Sequence, residues 1–213
     1  MHKEERESVL RLGLETSMDI QHVIVGGIGT TREIGMMLQV WPNATIHAVD
    51  PMLPYLEDAR LFYNSFDTDL NAKPIIDRIK WYHNALWFES GVELKLYIPT
   101  RKSDRVGTTL LFRNYQQDRV GKAASITIDD ICNDKGDVVI WIEIEGAELH
   151  ALKETEKTLN RTQAVHVEAR DWPWEDATKR NEVDELLIFY GLHLKKIYNK
   201  ESGNCDAIYG RFE

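Results

Sequence analysis

Three side chains that can exchange protons lie in or directly after apolar runs in the second half of the sequence. Glu143 follows the run Val138–Ile142, and His166 and Glu168 lie in the run 163–168. Such runs are typical of parallel strands covered on both faces, and ligands bind beyond the carboxyl ends of these strands. His166 and Glu168 are two residues apart, so they point to one face of their strand. We predict Glu143, His166 and Glu168 as catalytic residues that accept a proton.

Other roles for these side chains stay open. A histidine in an apolar strand is often a core residue with its hydrogen bonds satisfied, and a glutamate at a strand end is often solvated. The three could also ligate a divalent metal, but their spacing is not diagnostic of a metal site, and we predict none. Cys132 and Cys205 lack metal-type spacing and are expected to be reduced structural thiols.

A glycine-rich turn follows the first apolar run of the chain. The run His22–Val25 leads into Gly26, Gly27 and Gly29, and a segment with helical spacing of apolar residues comes next. Glycines let the backbone approach a ligand closely, and the start of the helix offers free amides to an anion. The dinucleotide pattern G-x-G-x-x-G fails at Arg32. We predict that this turn forms the surface on which a cofactor lies, which we call the cofactor floor. The alternative is a tight turn with a purely structural role.

Asp50 ends the second predicted strand, 44–50. A carboxylate at this place can accept hydrogen bonds from ribose hydroxyls, as in dinucleotide-binding folds. The alternative is that Asp50 caps the helix that follows Pro51. Together with the glycine turn, Asp50 predicts a cofactor that contains adenosine.

The remaining pattern predicts one doubly wound α/β domain over residues 1–213, with an N-terminal helix in 1–18. Further helices are predicted at 54–66, 75–79, 145–159 and 175–190. Further strands are predicted at 80–86, 92–98, 108–112, 124–128, 163–168, 192–198 and 207–212. The turn-forming residues 202–204 permit an antiparallel pair of strands at the C-terminal end.

The amino-acid composition limits the classes of binding partner that we expect. The chain has 35 acidic against 26 basic residues, a formal charge of -9, which disfavours generic binding to nucleic acid or anionic membranes. No segment has the length of a membrane span, and the charged start lacks a secretory pattern, so we expect a cytoplasmic protein. Arg101, Lys102 and Arg105 could attract an anionic acceptor, with a solvated loop as the alternative. Trp172 and Trp174 could line an acceptor pocket or pack on the sheet.

Two segments resemble a known family. The sequence reads SITIDDI at 125–131 and VVIWIEIEGAEL at 138–149. The E-G-A-E of 145–148 and the T-I-D of 127–129 resemble the signature of the FkbM-like methyltransferases, a branch of the class I enzymes that depend on S-adenosylmethionine. The chain departs from the family at Ile24, where the family has an acid, and at Trp141, where it has a lysine.

The resemblance implies a seven-stranded, mostly parallel sheet with an antiparallel C-terminal strand. It implies S-adenosylmethionine as cofactor and methyl transfer to a hydroxyl on a sugar or small natural product. The implied cofactor-binding residues are Gly26, Gly27, Gly29, Thr30, Asp50, Asn84, Ala85, Glu143 and Glu145. Two rivals stay open: a non-catalytic protein that keeps the cofactor fold, and a nucleotide-dependent oxidoreductase.

Overall fold

The computed structural model of the protein describes residues 19–29, 32–65, 75–99, 108–111, 119–133, 135–168, 177–199 and 205–211. Several residues named above lie outside these ranges: the segment 1–18, Thr30, Arg101, Lys102, Arg105, Trp172 and Trp174. The predictions that concern them stay predictions.

In the ranges given above, ten strands form two sheets. The strands are β1 (His22–Gly26), β2 (Thr45–Val49), β3 (Ile79–Tyr82), β4 (Ala85–Leu86), β5 (Glu93–Ile98), β6 (Arg119–Ile126), β7 (Val138–Ile142), β8 (Thr162–Glu168), β9 (His193–Asn199) and β10 (Cys205–Gly210). The main sheet has the order β3-β2-β1-β7-β8-β10-β9, and the small sheet has the order β4-β6-β5. In the main sheet β10 runs antiparallel to β8 and β9, whereas the pairs from β3 to β8 are parallel. The predicted sheet of seven strands is confirmed.

The described residues also contain six α-helices, which lie between the strands along the chain. They are α1 (Arg32–Val40), α2 (Leu53–Asn64), α3 (Ile128–Ile131), α4 (Glu148–Leu152), α5 (Glu156–Leu159) and α6 (Arg180–Phe189), together with one 3₁₀ turn (Ile75–Arg78). Within the described ranges, no helix is both long enough and apolar enough to cross a membrane.

The core covers both faces of the main sheet. On one face Val25 and Trp141 pack with Met37 of α1, and on the other face Ile140 packs with Leu152 of α4. All five side chains are at most 2% exposed. Because both faces are covered, β1 and β7 are apolar at successive positions rather than at alternate ones.

The strand order creates a topological switch point between the central strands β1 and β7. From β1 the chain continues to β2 on one side, and it later returns to β7 on the other side. Gly26 pairs with Val49 of β2 and with Ile142 of β7, so these three strands end at the same level. Ligands bind beyond the carboxyl ends of strands at such a point.

The prediction of one continuous helix over 145–159 is wrong. The structure has two short helices in this segment, α4 and α5. Three residues of the segment have a left-handed backbone: Glu145 (φ 60°) and Gly146 (φ 101°) at its start, and Glu154 (φ 55°) between the two helices. A right-handed helix cannot include such residues. Helix α6 is also shorter than predicted, because 177–179 are not helical.

Two predicted strands also have different bounds. The strand expected over 80–86 is divided into β3 and β4, which lie in different sheets. The strand expected over 124–128 is β6, which ends at Ile126 because Thr127 caps α3 by accepting a hydrogen bond from the Asp130 amide at 3.1 Å. Of a third predicted strand, 108–112, the structure describes residues 108–111, which form one bridge, between Thr109 and Tyr97.

Candidate active site

The glycine turn is fastened to the end of β2 by backbone and carboxylate bonds. The Gly27 amide donates to the Val49 carbonyl at 3.0 Å. Asp50 Oδ2 accepts from the Ile28 amide at 2.8 Å, and Asp50 Oδ1 accepts from the Met52 amide at 2.7 Å. Asp50 therefore holds the turn and the entry to α2 in one arrangement. It is not the helix cap that was left open above, because the N-cap of α2 is Met52 and no side chain of the described residues caps this helix.

Burial raises the pKa of Asp50 to about 6, while the amides of Ile28 and Met52 and the nearby His83 act in the opposite direction. The Asp50 residue is 4% exposed. A carboxylate has about four lone-pair sites, so two amide bonds leave capacity for further donors such as ribose hydroxyls. Above pH 6 Asp50 is mainly ionised and accepts hydrogen bonds only.

Gly26 and Gly27 bring β1 and β7 into close backbone contact. The Glu143 amide donates to the Gly26 carbonyl at 3.0 Å. Gly27 has φ 81°, and a Cβ at this position would overlap the Glu143 carbonyl oxygen and lie 3.1 Å from its carbon. A Cβ on Gly26 would lie 2.6 Å from a methyl carbon of Ile142. Glycine is thus required here by the protein's own packing, whatever ligand the turn holds.

Asn84 and Ala85 lie where the chain passes from the main sheet to the small one. The Asn84 amide group donates to the Ala124 carbonyl at 3.2 Å, and the Ala85 side chain is buried between Leu96 and Ala123. Both side chains therefore support the small sheet. Near the end of β2, it is the backbone of residues 83–85 that faces the site, and not these two side chains.

The E-G-A-E segment forms a turn that is closed by its last residue. Glu148 is fully buried, and its Oε1 accepts from the amides of Ile144 at 3.0 Å and Gly146 at 3.1 Å. The Glu145 carbonyl accepts from the Thr109 hydroxyl at 3.0 Å. The backbone after Glu143 is thereby fixed from two sides.

Burial, and after it the charge of Glu168, raise the pKa of Glu148 to about 8 against the opposing effect of the amide hydrogen bonds. Glu148 is therefore mainly protonated at neutral pH. The turn is held by a neutral carboxyl group next to a second, nearly buried carboxyl group, since Glu168 is 6% exposed.

The three predicted catalytic residues lie at different depths. Glu143 is half-buried at the sheet edge, whereas His166 is 0% exposed. The His166 ring stacks on the Trp141 ring with centroids 3.5 Å apart and an angle of 6°. His166 Nε2 lies 3.9 Å from Asp206 Oδ2. Of the three, Glu143 is the one positioned beside the glycine turn.

Sequence reasoning missed Asp206, which lies one residue before the predicted strand 207–212. The structure pairs Asp206 with Glu168 across β10 and β8. An acid followed by the apolar run Ala207–Tyr209 was the available signal. Its neighbours could not be predicted, because the register of an antiparallel pair depends on the connecting turn.

A groove of about 380 Å³ opens beside the E-G-A-E turn and was also missed. Its lining includes Trp87, Leu111, His150, Lys153, Thr178 and Lys179, and we call it the Trp87 groove. The Trp87 and His150 rings stack with centroids 4.5 Å apart. No motif marks the groove, because separate segments contribute to it. Its volume suits a small molecule.

Two walls of the Trp87 groove are tied to the turn. The Thr178 amide donates to the Gly146 carbonyl at 2.8 Å. The Leu111 amide donates to the Thr109 hydroxyl oxygen at 3.1 Å, and that hydroxyl donates to the Glu145 carbonyl. A molecule in the groove would therefore lie against the same turn that follows Glu143.

The fold is similar to that of solved structures described as methyltransferases. A Clostridium thermocellum structure described as a candidate rRNA-methylase has the same fold, with a TM-score of 0.58, 7% identity, and coverage of 100% of this chain and 98% of that one. The precorrin-6y C5,15-methyltransferase of Geobacter metallireducens GS-15 matches with a TM-score of 0.53, 13% identity, and coverage of 100% and 90%. The chain spans 54% of the pyocyanin biosynthetic protein PhzM, with a TM-score of 0.48 and 15% identity over 97% of this chain.

The family model described as the methyltransferase FkbM domain matches residues 93–197. This match confirms the resemblance that the E-G-A-E segment indicates, and it includes Glu143, Glu145 and Glu148. S-adenosylmethionine is accordingly the cofactor. The sequence has no significant match among curated proteins.

Proposed function

We propose that the protein transfers the methyl group of S-adenosylmethionine to the oxygen of a hydroxyl group on a sugar or small natural product. One observation carries the proposal: Glu143, a half-buried carboxylate, follows β7 directly and is hydrogen-bonded through its amide to Gly26 of the glycine turn. A base is therefore positioned beside the proposed cofactor floor. In the transfer, the hydroxyl oxygen bonds to the methyl carbon, the carbon–sulfur bond breaks, S-adenosylhomocysteine leaves, and the hydroxyl proton passes to Glu143.

The cofactor would lie along the edge formed by β1, β2 and β7. In this proposal Gly26, Gly27, Gly29 and Thr30 border the methionine part, Asp50 the ribose, and Asn84 and Ala85 the adenine. The level ends of the three strands support it, because they bring the turn, Asp50 and Glu143 side by side. In this proposal Glu145 contributes to cofactor binding through the E-G-A-E turn, in which its own carbonyl is fixed by a hydrogen bond from Thr109.

The Trp87 groove is the proposed place for the acceptor. Aromatic rings at its wall provide a surface for a sugar or aromatic ring, and Lys153 and Lys179 provide cations for an acidic substituent. We propose that Arg101, Lys102 and Arg105 add to this attraction, as expected from the sequence. His166 and Glu168 are buried, and we propose that they act on the transfer through Glu143.

Cofactor binding is tested by calorimetric titration with S-adenosylmethionine, S-adenosylhomocysteine and NAD. We expect the first two to bind and Asp50→Asn to weaken both by about 10- to 100-fold, the usual effect of losing hydrogen bonds to a charged acceptor. Glu89→Gln, which changes an exposed carboxylate, serves as control. Binding of none would favour a non-catalytic protein with the cofactor fold, and binding of NAD alone would favour an oxidoreductase.

The role of Glu143 is tested in turnover. We expect Glu143→Gln to lower kcat about 100-fold, because the amide cannot accept the proton, with little change in the Kd for S-adenosylmethionine. S-adenosylhomocysteine release over a panel of hydroxylated acceptors measures this, and mass spectrometry locates the methyl group. A methyl group found on nitrogen or carbon, or an unchanged kcat, would contradict the proposal.

A further inference from the structure

Two groups of three side chains in the described part of the chain bring metal-ligating atoms within 4.8 Å of one another. The first consists of His22, His47 and Cys132. Here His22 Nε2 lies 3.2 Å from the Lys135 carbonyl, His22 Nδ1 lies 3.2 Å from His47 Nε2, and His47 Nδ1 lies 3.2 Å from the Tyr82 hydroxyl. The ring nitrogens of both histidines are thus engaged in a hydrogen-bonded row across the sheet, which explains their burial.

The second group consists of Glu143, His166 and Asp206. Glu143 directly follows β7, and His166 and Asp206 lie in β8 and β10; these three strands are neighbours in the main sheet. His166 and Asp206 are 0% exposed, and Glu143 reaches the sheet edge. We infer that these three side chains form a binding site for a divalent first-row transition-metal ion such as Mn²⁺, Co²⁺ or Zn²⁺.

The distances suit one shared ion. Zinc is bound by histidine nitrogen and carboxylate oxygen at about 2.1 Å, so two ligand atoms of one ion lie at most about 4.2 Å apart. His166 Nε2 and Asp206 Oδ2 are already 3.9 Å apart. The largest separation in the group is within 4.8 Å, so closure around an ion requires movements of less than about 1 Å.

The charge and the donor types point to the same class of ion. As metal ligands, two carboxylates and a neutral imidazole together carry two negative charges, which a divalent cation would neutralise. Imidazole suits zinc and its neighbours in the first row, whereas Mg²⁺ and Ca²⁺ prefer oxygen ligands alone. One histidine with two carboxylates is therefore a transition-metal donor set.

Trp141 holds the imidazole in place for this role. Its ring is parallel to that of His166 at 3.5 Å, and the two residues are partners in the β7–β8 register. Groups behind a ligand that fix its ring orientation raise metal affinity. An ion held here would also fix the Glu143 carboxylate beside the glycine turn. That consequence rests on the proposed methyl transfer, whereas the binding of the ion does not.

The test uses the full chain without an affinity tag, freed of metal by a chelator and titrated with CoCl₂ in the absence of cofactor. We expect one equivalent of Co²⁺ to bind with visible d–d absorption bands. Asp206→Asn and His166→Gln should each weaken binding at least tenfold. His47→Gln is the matched control, because it alters a buried histidine of the first group and should leave Co²⁺ binding unchanged.

A second variant keeps the inference falsifiable if the others fold poorly. Asp206→Cys retains a ligand and should add a thiolate-to-cobalt charge-transfer band in the near ultraviolet. No bound Co²⁺ in the folded wild-type chain would overturn the inference, as would wild-type affinity in Asp206→Asn and His166→Gln. Calorimetry with S-adenosylmethionine is run separately, so failure of the methyl-transfer proposal is distinguishable from failure of the metal site.

Discussion

Gly27→Ala is expected to lower the free energy of unfolding by about 3 kcal/mol or more and to abolish measurable binding of S-adenosylmethionine. The residue has φ 81°, which costs an L-residue about 1–3 kcal/mol. The new methyl group would also overlap the carbonyl oxygen of Glu143, which is backbone and cannot rotate away. The ends of β1 and β7 must then separate, and the turn is displaced from the edge. Urea unfolding and calorimetry measure the two effects.

Gly91→Ala is the matched control for this prediction. Gly91 has φ 79°, nearly the same backbone conformation, but a Cβ there would meet nothing within 4 Å. It should therefore show the conformational cost alone and bind the cofactor as the wild type does. If Gly27→Ala loses no more stability than Gly91→Ala, the close approach of the two strands does not restrict residue 27.

The sheet could be predicted from the sequence largely because its central strands are buried on both faces. β7 matches the predicted run Val138–Ile142 residue for residue. β1 matches the predicted run His22–Val25 and is longer by one residue, Gly26. The burial that forces continuous apolar residues is visible in the sequence itself. Helix continuity was less predictable, because the left-handed Glu145 and Glu154 depend on contacts such as that of the Glu145 carbonyl with Thr109.

The site could be predicted in its residue types but not in its contacts. Sequence reasoning placed Asp50 and Glu143 at strand ends, which follows from where the apolar runs stop. It could not show that Asp50 holds the amides of Ile28 and Met52, since the geometry of a turn is a tertiary property. The contact of His166 with Asp206 depends on the register of β8 and β10, which the alternation of residues leaves open.

The pH dependence of stability is expected to change with Glu148→Gln. In the folded chain, burial first and then the charge of Glu168 raise the pKa of Glu148 from 4.5 to about 8. The unfolded chain releases this proton near pH 4.5, and the folded chain retains it until about pH 8. Stability from this group is therefore complete below pH 4.5 and decreases as the pH rises through 8. At about 1.4 kcal/mol per pKa unit, the loss amounts to several kcal/mol.

Glutamine at 148 stays neutral and keeps a carbonyl oxygen for the amides of Ile144 and Gly146. We therefore expect the variant to be more stable than the wild type at pH 9 and close to it at pH 5, measured by urea unfolding at both values. Asp50 contributes a decrease of the same sign between pH 3.8 and about 6, but equally in both proteins, so the difference isolates Glu148. Glu89→Gln, at an exposed position, should leave the wild-type pH profile unchanged. A variant that is less stable than the wild type at pH 9 would contradict the raised pKa of Glu148, because it would show that the turn stabilises the Glu148 carboxylate more than the neutral amide.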